Sequence, residues 1–292
     1  LGHANDFLPR KHGFDESLRI DQGSLFLPED DENVINAKLE FDPIDKVLWG
    51  NLPYAVNFNE GPRMNPDGHL TDYLTNEAVK VIEKNKNRPF FLYLAYWAVH
   101  SPLQAKKEDY EKLSFIENHD ERVLASMVMT VDRGVGKIRD VLKKNNIDDN
   151  TIIIFTSDNG APGYIGLPDL NKPYRGWKLT HFEGGVHVPF IVSYPNKIPK
   201  GITYNGRVSN LDILSTVASV AGVDMDRNDL KEIEFDGANV LPYLIGENEG
   251  EPERVLFNKS GNYSFIIKEG WKLQVDLVQN KKWLYNLNED PT

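Results

Sequence analysis

The residues most capable of chemistry in this sequence lie next to three apolar runs. His100 directly follows the first run, and Asp158 and Asn159 come shortly after the second. Lys178 and Arg175 lie in a glycine-bearing loop ahead of the third run. Open parallel sheets bind their ligands beyond the carboxyl ends of the strands. If the runs are strands of one such sheet, we expect these side chains to gather at one sheet edge.

These side chains suit two kinds of ligand. The Asp158 carboxylate and the Asn159 amide oxygen are hard ligands for Ca²⁺ or Mg²⁺, although two ligands do not complete a calcium site. His100 can donate to an anionic oxygen or act as an acid, and Lys178 and Arg175 can neutralise an oxyanion. Each residue also has an ordinary structural explanation, as a turn, a hydrogen-bonded histidine or a solvated base. Together they predict a divalent cation beside an anion pocket.

The apolar runs themselves predict buried strands. Residues 90–96, 151–156 and 188–194 are apolar on both faces, which is typical of central strands in a parallel sheet. Helices are predicted at 70–85 and 119–145, where apolar residues recur on one helical face. Because strands alternate with helices, the sequence predicts an α/β fold with a mostly parallel sheet and helices on both faces.

The sequence changes character after Gly246. Residues 247–252 are acidic and contain glycine and proline, as linkers and turns do. Beyond them, short runs rich in aromatic and β-branched residues recur at hairpin spacing. We therefore predict an α/β domain over residues 1–246 and a small antiparallel subdomain over residues 247–292.

Composition narrows the classes of function. The chain of 292 residues has 33 Lys and Arg against 44 Asp and Glu, a net charge of −11. Nucleic-acid binding needs a basic face, so we expect no nucleic-acid partner. The longest apolar run, 90–99, is too short to span a bilayer. There is no cysteine, which excludes disulfides, Cys-ligated zinc and a cysteine nucleophile within this stretch.

Several blocks of the sequence resemble motifs of the sulfatase family. FFLYLAYWAVHSPLQ at 90–104 resembles the segment that ends in His-(Ser/Thr)-Pro-Leu-Gln, and TSDNGAPG at 156–163 is similar to the Ser-Asp-Asn-Gly motif. RGWKLTHFEGGVHVPFIVSYP at 175–195 is similar to the Gly-x-Lys and Glu-Gly-Gly-x-x-x-Pro block. Lesser matches follow in family order: HGFDE at 12–16, LTDYLTNEAV at 70–79, DGANVLPYLIG at 236–246 and WLYNLNEDPT at 283–292.

The resemblance implies the alkaline-phosphatase-like α/β fold and hydrolysis of a sulfate ester. Asp158 and Asn159 would be two ligands of Ca²⁺, with Mg²⁺ as a further possibility. His100 would bind the sulfate or protonate the leaving oxygen. Lys178 would hold a sulfate oxygen and stabilise charge in the transition state, and Arg175 is a further candidate for substrate binding. The implied substrate is a sulfated small molecule or a sulfated glycan. The implied location is secreted or periplasmic, or lysosomal in a eukaryote.

One motif expected from the resemblance is missing. Sulfatases use a formylglycine made from Cys or Ser in a (Cys/Ser)-x-Pro-x-Arg motif, and this chain contains no cysteine. Its nearest serine match, SYPNK at 193–197, ends in Lys and follows the Glu-Gly-Gly block, out of family order. We therefore expect the formylglycine and the paired metal aspartates upstream of this chain, and no turnover from these residues alone. His187 stands where relatives usually carry Arg.

Two alternatives stay open on the sequence. A phosphate or phosphonate monoester hydrolase of the same superfamily would use similar pocket chemistry, although the HSPLQ and FEGG blocks favour a sulfatase. A catalytically inactive, truncated homologue acting as a binding module is favoured by the missing nucleophile. The retained candidate residues argue against long degeneration, because no structural requirement demands all of them. The natural substrate, the oligomeric state and the roles of His181 and His187 are left open.

Overall fold

A computed structural model of the chain describes residues 5–20, 23–224 and 233–292. Its contacts divide the chain into two units, which are described here one at a time. The first unit is Leu1–Asp148 with Ile165–Leu167, and the second is Asp149–Tyr164 with Pro168–Thr292. The domain boundary predicted after residue 246 stays a prediction.

Two helices form the centre of the first unit. Helix α2 spans Leu70–Asn85, at the predicted bounds, and helix α4 spans His119–Lys144. Helix α4 begins after Asn118, whose side chain accepts a hydrogen bond from the backbone N–H of Glu121. The two helices pack against each other, and each buries apolar residues that recur at helical spacing, although Val128 of the stripe predicted for α4 is 51% exposed. Their buried apolar residues are Leu70, Leu74, Ala78, Ile82, Val123, Leu124, Met127, Val141 and Leu142.

The other elements of the first unit are short. Helices α1 and α3 span Pro43–Asn51 and Lys107–Lys112. The strands are β1 (Leu18–Arg19), β2 (Val34–Ala37), β3 (Asn57–Phe58) and β4 (Leu103–Lys106). Strand β1 pairs antiparallel with β3, and β2 pairs antiparallel with β4.

The strand predicted at 90–96 is not formed, and this prediction is wrong. Residues 90–96 pair with no strand among the described residues. The segment exposes alternate side chains, with Phe91 58% and Tyr93 62% exposed. An apolar run specifies side chains that favour burial, but a strand also needs a partner for its backbone N–H and C=O groups. The described part of the chain supplies no such partner here.

The other two predicted strands are present in shorter form in the second unit. Strand β5 spans Ile153–Thr156 and strand β6 spans Phe190–Ser193. They pair with each other in antiparallel register, with Ile153 opposite Ser193, instead of in parallel. All strand pairs of the described ranges are antiparallel, so the parallel ladders expected of the sheet are not found there. An apolar sequence predicts that a strand is buried, but it does not determine whether the strand pairs in parallel or antiparallel with its neighbour.

A four-stranded antiparallel sheet ends the second unit, and it confirms the predicted antiparallel character of the C-terminal region. Its strands are β7 (Leu256–Ser260), β8 (Tyr263–Lys268), β9 (Trp271–Asp276) and β10 (Lys281–Asn286). They lie in the order β10-β9-β8-β7. The turn between β8 and β9 has two residues, Glu269 and Gly270, both at positive φ, as the favoured hairpin turns require.

Three short helices complete the second unit. Helix α5 spans Glu183–Val186, α6 spans Asp212–Val220 and α7 spans Leu241–Leu244. A small core lies beside α7, in which Tyr194 and Ile198 pack with Val240 and Leu244. No helix in the described ranges is both long enough and apolar enough to cross a membrane.

We predict that a buried histidine makes the stability of this protein depend on pH. His69 is 4% exposed and stacks on Phe26, and burial lowers its pKa from 6.5 to about 4. The unfolded chain takes up this proton near pH 6.5, so stability is full above that pH and falls as the pH drops towards 4. The expected loss is about 3 kcal/mol in the free energy of unfolding, measured with urea between pH 7 and pH 4.

The matched variant for this prediction is His69→Gln, which cannot take up the proton. The wild-type protein should lose more stability than His69→Gln over this pH range. His12→Gln, at an exposed position, controls for the loss of an imidazole at the surface. Equal pH dependence in the wild type and in His69→Gln would contradict the prediction.

Candidate functional site

Asp158 and Asn159 lie in the loop that follows β5. Asp158 is exposed, and no hydrogen bond or ion pair of the described residues holds its carboxylate. The Asn159 Nδ2 donates to the carbonyl oxygen of Gly160 at 3.0 Å, which leaves its Oδ1 for another partner. Ser157 Oγ donates to the carbonyl oxygen of Asn159 at 3.0 Å and braces the turn. The loop therefore offers two adjacent hard oxygen donors.

Lys178 lies in a second loop that is bonded directly to the first. The Lys178 backbone N–H donates to the carbonyl oxygen of Ala161 at 3.0 Å. The Gly160 N–H donates to the carbonyl oxygen of Gly185, also at 3.0 Å. The Gly184 N–H in turn donates to the carbonyl oxygen of Arg175 at 2.8 Å. The structure thus brings the predicted residues of the second unit onto two joined loops.

Each loop also lies very close to the backbone of Gly184 in helix α5, and these approaches require glycine at two positions. A Cβ atom added to Gly160 would overlap the carbonyl oxygen of Gly184. A Cβ atom added to Gly184 would overlap the carbonyl oxygen of Gly176. A larger residue at either position would therefore push helix α5 away from the loop that it contacts.

Asn171 connects the same loops, although no sequence pattern singled it out. Its Oδ1 accepts from the Ala161 N–H at 2.8 Å. Its Nδ2 donates to the carbonyl oxygens of Ala161 at 2.9 Å and Gly176 at 3.2 Å. All its side-chain bonds go to backbone, so Asn171 fixes loop geometry. The local signal, an Asn followed by Lys-Pro, indicates only a turn.

The remaining polar residues around Lys178 are held by aromatic rings. The exposed Arg175 guanidinium lies 4.5 Å from the Phe182 ring centroid, which supports this side chain without neutralising it. His187 stacks on Tyr174 at 4.3 Å between ring centroids. His187 is exposed, so this stacked pair lies at the surface of the same loop region.

His181 is packed in the protein interior against an aromatic side chain. It is buried and meets Phe265 edge-on, with ring centroids 5.4 Å apart. Burial lowers the pKa of His181, and the nearby charge of Lys272 lowers it further. A buried histidine held neutral among aromatic rings is not suited to binding an anion, because that role needs a protonated, accessible ring.

His100 belongs to the first unit. Its Nδ1 lies 2.6 Å from the carbonyl oxygen of Ser101, and its ring stacks on Trp97 at 4.3 Å between centroids. A carbonyl oxygen only accepts, so Nδ1 carries the proton in the neutral ring and Nε2 is the atom that takes up or gives a further proton. The buried Gln104 anchors the segment after His100, because its Oε1 accepts from the Phe26 N–H at 2.8 Å.

The donors of the first loop fit a hard divalent cation in part. A free carboxylate and an amide oxygen are the ligand types that Ca²⁺ and Mg²⁺ prefer. Two donors are fewer than the six to eight that calcium takes. Within the described ranges, no three or more His, Asp or Glu residues gather where they could hold a metal ion. Asp158 and Asn159 by themselves are therefore too few to complete the ligand set of such a cation.

The sulfatase family model matches residues 5–223 of this chain. The chain is 36% identical over 202 residues to the uncharacterized sulfatase YdeN of Escherichia coli. This alignment covers 68% of this chain and 35% of YdeN. It is 31% identical over 265 residues to the N-acetylgalactosamine-6-sulfatase of Canis lupus familiaris, covering 84% of this chain and 45% of the relative. The chain thus spans less than half the length of these two curated relatives.

Solved structures give the same result for the fold. The crystal structure of Ps i-CgsB in complex with k-i-k-neocarrahexaose matches with a TM-score of 0.80 and 32% identity, covering 99% of this chain and 63% of that one. A phosphonate monoester hydrolase from Silicibacter pomeroyi matches with a TM-score of 0.57 at 17% identity, which shows the fold alone. These likenesses confirm the predicted alkaline-phosphatase-like α/β class. The chain belongs to the sulfatase family.

Proposed function

We propose that this chain forms the sulfate-binding part of an enzyme that hydrolyses sulfate esters. The observation that carries the proposal is the bonding of the Lys178 loop to the loop of Asp158 and Asn159. The backbone of a loop that carries a carboxylate and an amide oxygen is thereby joined to the backbone of a loop that carries a lysine, within a chain of the sulfatase family. Charges that are in place before the reaction stabilise a transition state because they need no reorganisation during it.

The side chains divide the work by their chemistry. Lys178 holds a sulfate oxygen and stabilises the charge that develops on it, and the exposed Arg175 provides a second positive charge at the substrate side. His100 belongs to the other unit, and its role is proposed from the resemblance to sulfatases alone: since its Nδ1 N–H donates to the Ser101 carbonyl oxygen, Nε2 would protonate the leaving alcohol oxygen. That step requires the doubly protonated ring as the acid.

Asp158 and Asn159 would hold a calcium ion in this proposal, with magnesium as the alternative. Such a cation would supply positive charge beside the sulfate oxygens. The Asp158 carboxylate would contribute the negative charge that retains the cation, and Asn159 Oδ1 would contribute a neutral ligand.

We place the nucleophile outside these 292 residues. The chain has no cysteine, and no serine stands in a Ser-x-Pro-x-Arg motif. A formylglycine there would supply the nucleophilic hydroxyl. The residues present bind and orient the sulfate and manage the leaving-group proton, so residues 1–292 alone are expected to give no turnover.

We propose a sulfated glycan as the substrate class. One relative is named for N-acetylgalactosamine-6-sulfate chemistry, and Ps i-CgsB was solved with k-i-k-neocarrahexaose. The stacked pair of Tyr174 and His187 is compatible with a sugar ring, because aromatic faces offer apolar contact with a polar rim.

The test compares sulfate and phosphate esters. We expect the protein, as its natural gene encodes it, to hydrolyse an aryl sulfate at least about 10²-fold faster in kcat/KM than the matching aryl phosphate. A reversed preference would support the phosphate or phosphonate monoester hydrolase. Failure to hydrolyse either aryl ester and any sulfated glycan would overturn the enzyme proposal and support the binding module.

A further inference from the structure

A buried lysine lies behind the candidate site, within the same unit. Lys272, on strand β9, is 1% exposed. Burying an ammonium group is costly unless another group compensates its charge. Lys272 Nζ donates to Glu183 Oε1 at 2.6 Å and lies 4.6 Å from the Phe265 ring centroid. The Lys272 ammonium group is therefore ion-paired with Glu183, the first residue of helix α5.

Glu183 stands at the junction between this lysine and the two loops. Its second carboxylate oxygen lies 3.2 Å from His187 Nδ1. Burial alone would raise the pKa of Glu183, but hydrogen bonding to His187 and the charge of Lys272 lower it overall. Glu183 is therefore a carboxylate with both oxygens engaged. The residues that follow it directly are Gly184 and Gly185.

Gly184 and Gly185 connect Glu183 to both loops through backbone hydrogen bonds. Gly184 donates its N–H to the carbonyl oxygen of Arg175. Arg175 lies three positions before Lys178 in the same loop. Gly185 accepts from the N–H of Gly160, which directly follows Asn159. A continuous set of contacts therefore runs from strand β9 to both loops of the candidate site.

We propose that Lys272 is a positioning residue for the candidate sulfate site. By holding Glu183, it keeps the Gly184–Gly185 segment seated between the loop of Asp158 and the loop of Lys178. It acts through Glu183 and belongs to neither loop. The inference rests on the proposed function for its kinetic consequence, whereas its effect on loop order is measurable without any turnover.

The Lys272–Glu183 ion pair can be removed in a way that separates its effect on loop position from its effect on the stability of the protein. Replacing a buried ion pair by neutral side chains of similar volume often leaves a protein equally stable, whereas removing one partner leaves an unpaired buried charge. The informative variant is therefore Lys272→Met combined with Glu183→Gln. It removes the ionic tether and keeps the volume of both side chains.

The first readout is amide hydrogen exchange in the protein as its natural gene encodes it. In the double variant, we expect peptides covering 157–163 and 174–187 to exchange at least about tenfold faster, because the Gly160 and Gly184 bonds open more often. Peptides covering helices α6 and α7 should keep their wild-type rates. The matched control is Glu251→Gln, which neutralises the Arg207–Glu251 pair of the same unit and should leave both loops unchanged.

The second readout is kinetic. We expect KM for an aryl sulfate to rise about tenfold in the double variant, since misplaced groups lose binding geometry before they lose their chemistry. Lys272→Arg, which keeps the charge, should recover part of this loss. A merely structural role would lower the melting temperature of the double variant and leave KM unchanged.

The outcomes separate this inference from the proposed function. Wild-type exchange in both loops of a folded double variant would overturn the inference, as would faster exchange with an unchanged KM. If that double variant fails to fold, Lys272→Leu combined with Glu183→Gln, which likewise leaves no unpaired buried charge, is measured with the same two readouts and the same expectations. A wild-type protein that hydrolyses no sulfate ester refutes the proposed function, and the exchange rates then decide on the loop tether by themselves.

Discussion

Replacing Lys178 by Met should lower kcat/KM for a sulfate ester by about 10²- to 10³-fold, the size of effect seen when one preorganised donor to a developing oxyanion is removed. The backbone N–H of Lys178 is bonded to Ala161, and the substitution leaves that bond in place. The loss should therefore come from the side chain and not from the loop. Initial rates with an aryl sulfate, measured on the folded variant, test this expectation.

The control for this prediction lies in the same loop region. Lys172 is exposed and pairs with Asp169, and Lys172→Met removes the same charge from the surface. Ion pairs of this exposed kind contribute little, so we expect less than a twofold change. If both lysine variants lost activity to the same small extent, Lys178 would have no special role in holding the sulfate.

Replacing Asp158 by Asn should raise the calcium concentration needed for half-maximal activity by about 100-fold or more. The substitution keeps the size of the side chain and removes the only charge among the two donors of this loop, and calcium affinity depends on the number of charged ligands. The measurement is activity against added Ca²⁺ after treatment with a chelator, with calcium binding by calorimetry as a second readout. Magnesium is tested in the same way.

Asp149→Asn is the matched control for the metal prediction. Asp149 is exposed and lies at the other end of strand β5, so it carries the same charge change away from the loop of Asp158. An Asp158→Asn protein with the calcium dependence of the wild type would show that Asp158 is not a ligand. A calcium dependence lost equally in both variants would point to a general effect of net charge.

Elements with strong local signals could be predicted from the sequence. Helices α2 and α4 repeat apolar residues along one face over many turns, and their bounds were predicted to within a residue. The antiparallel C-terminal sheet could be predicted because its runs recur at hairpin spacing. The segment at 90–96 has an equally clear apolar signal, yet it forms no ladder, since pairing depends on a partner that a local pattern does not contain.

The candidate site shows the same limit. The residues with reactive side chains, such as Lys178 and Asp158, stand out by their type and by their place next to apolar runs. The residues that hold them do not. Asn171 and Lys272 act through contacts with backbone or side chains far along the chain, and 89 residues separate Lys272 from Glu183. His181 is a residue type that often binds anions or transfers protons, but here it is buried and packs against Phe265.

The most direct test of the central claim is a peptide map by mass spectrometry of the protein purified from its natural source. The claim is that these residues hold and orient the sulfate, while the nucleophile lies outside them. We predict a peptide beyond residues 1–292 in which a Cys or Ser has become an aldehyde, in a preparation that hydrolyses sulfate esters. An active preparation whose every peptide maps within residues 1–292, with no aldehyde, would contradict the account.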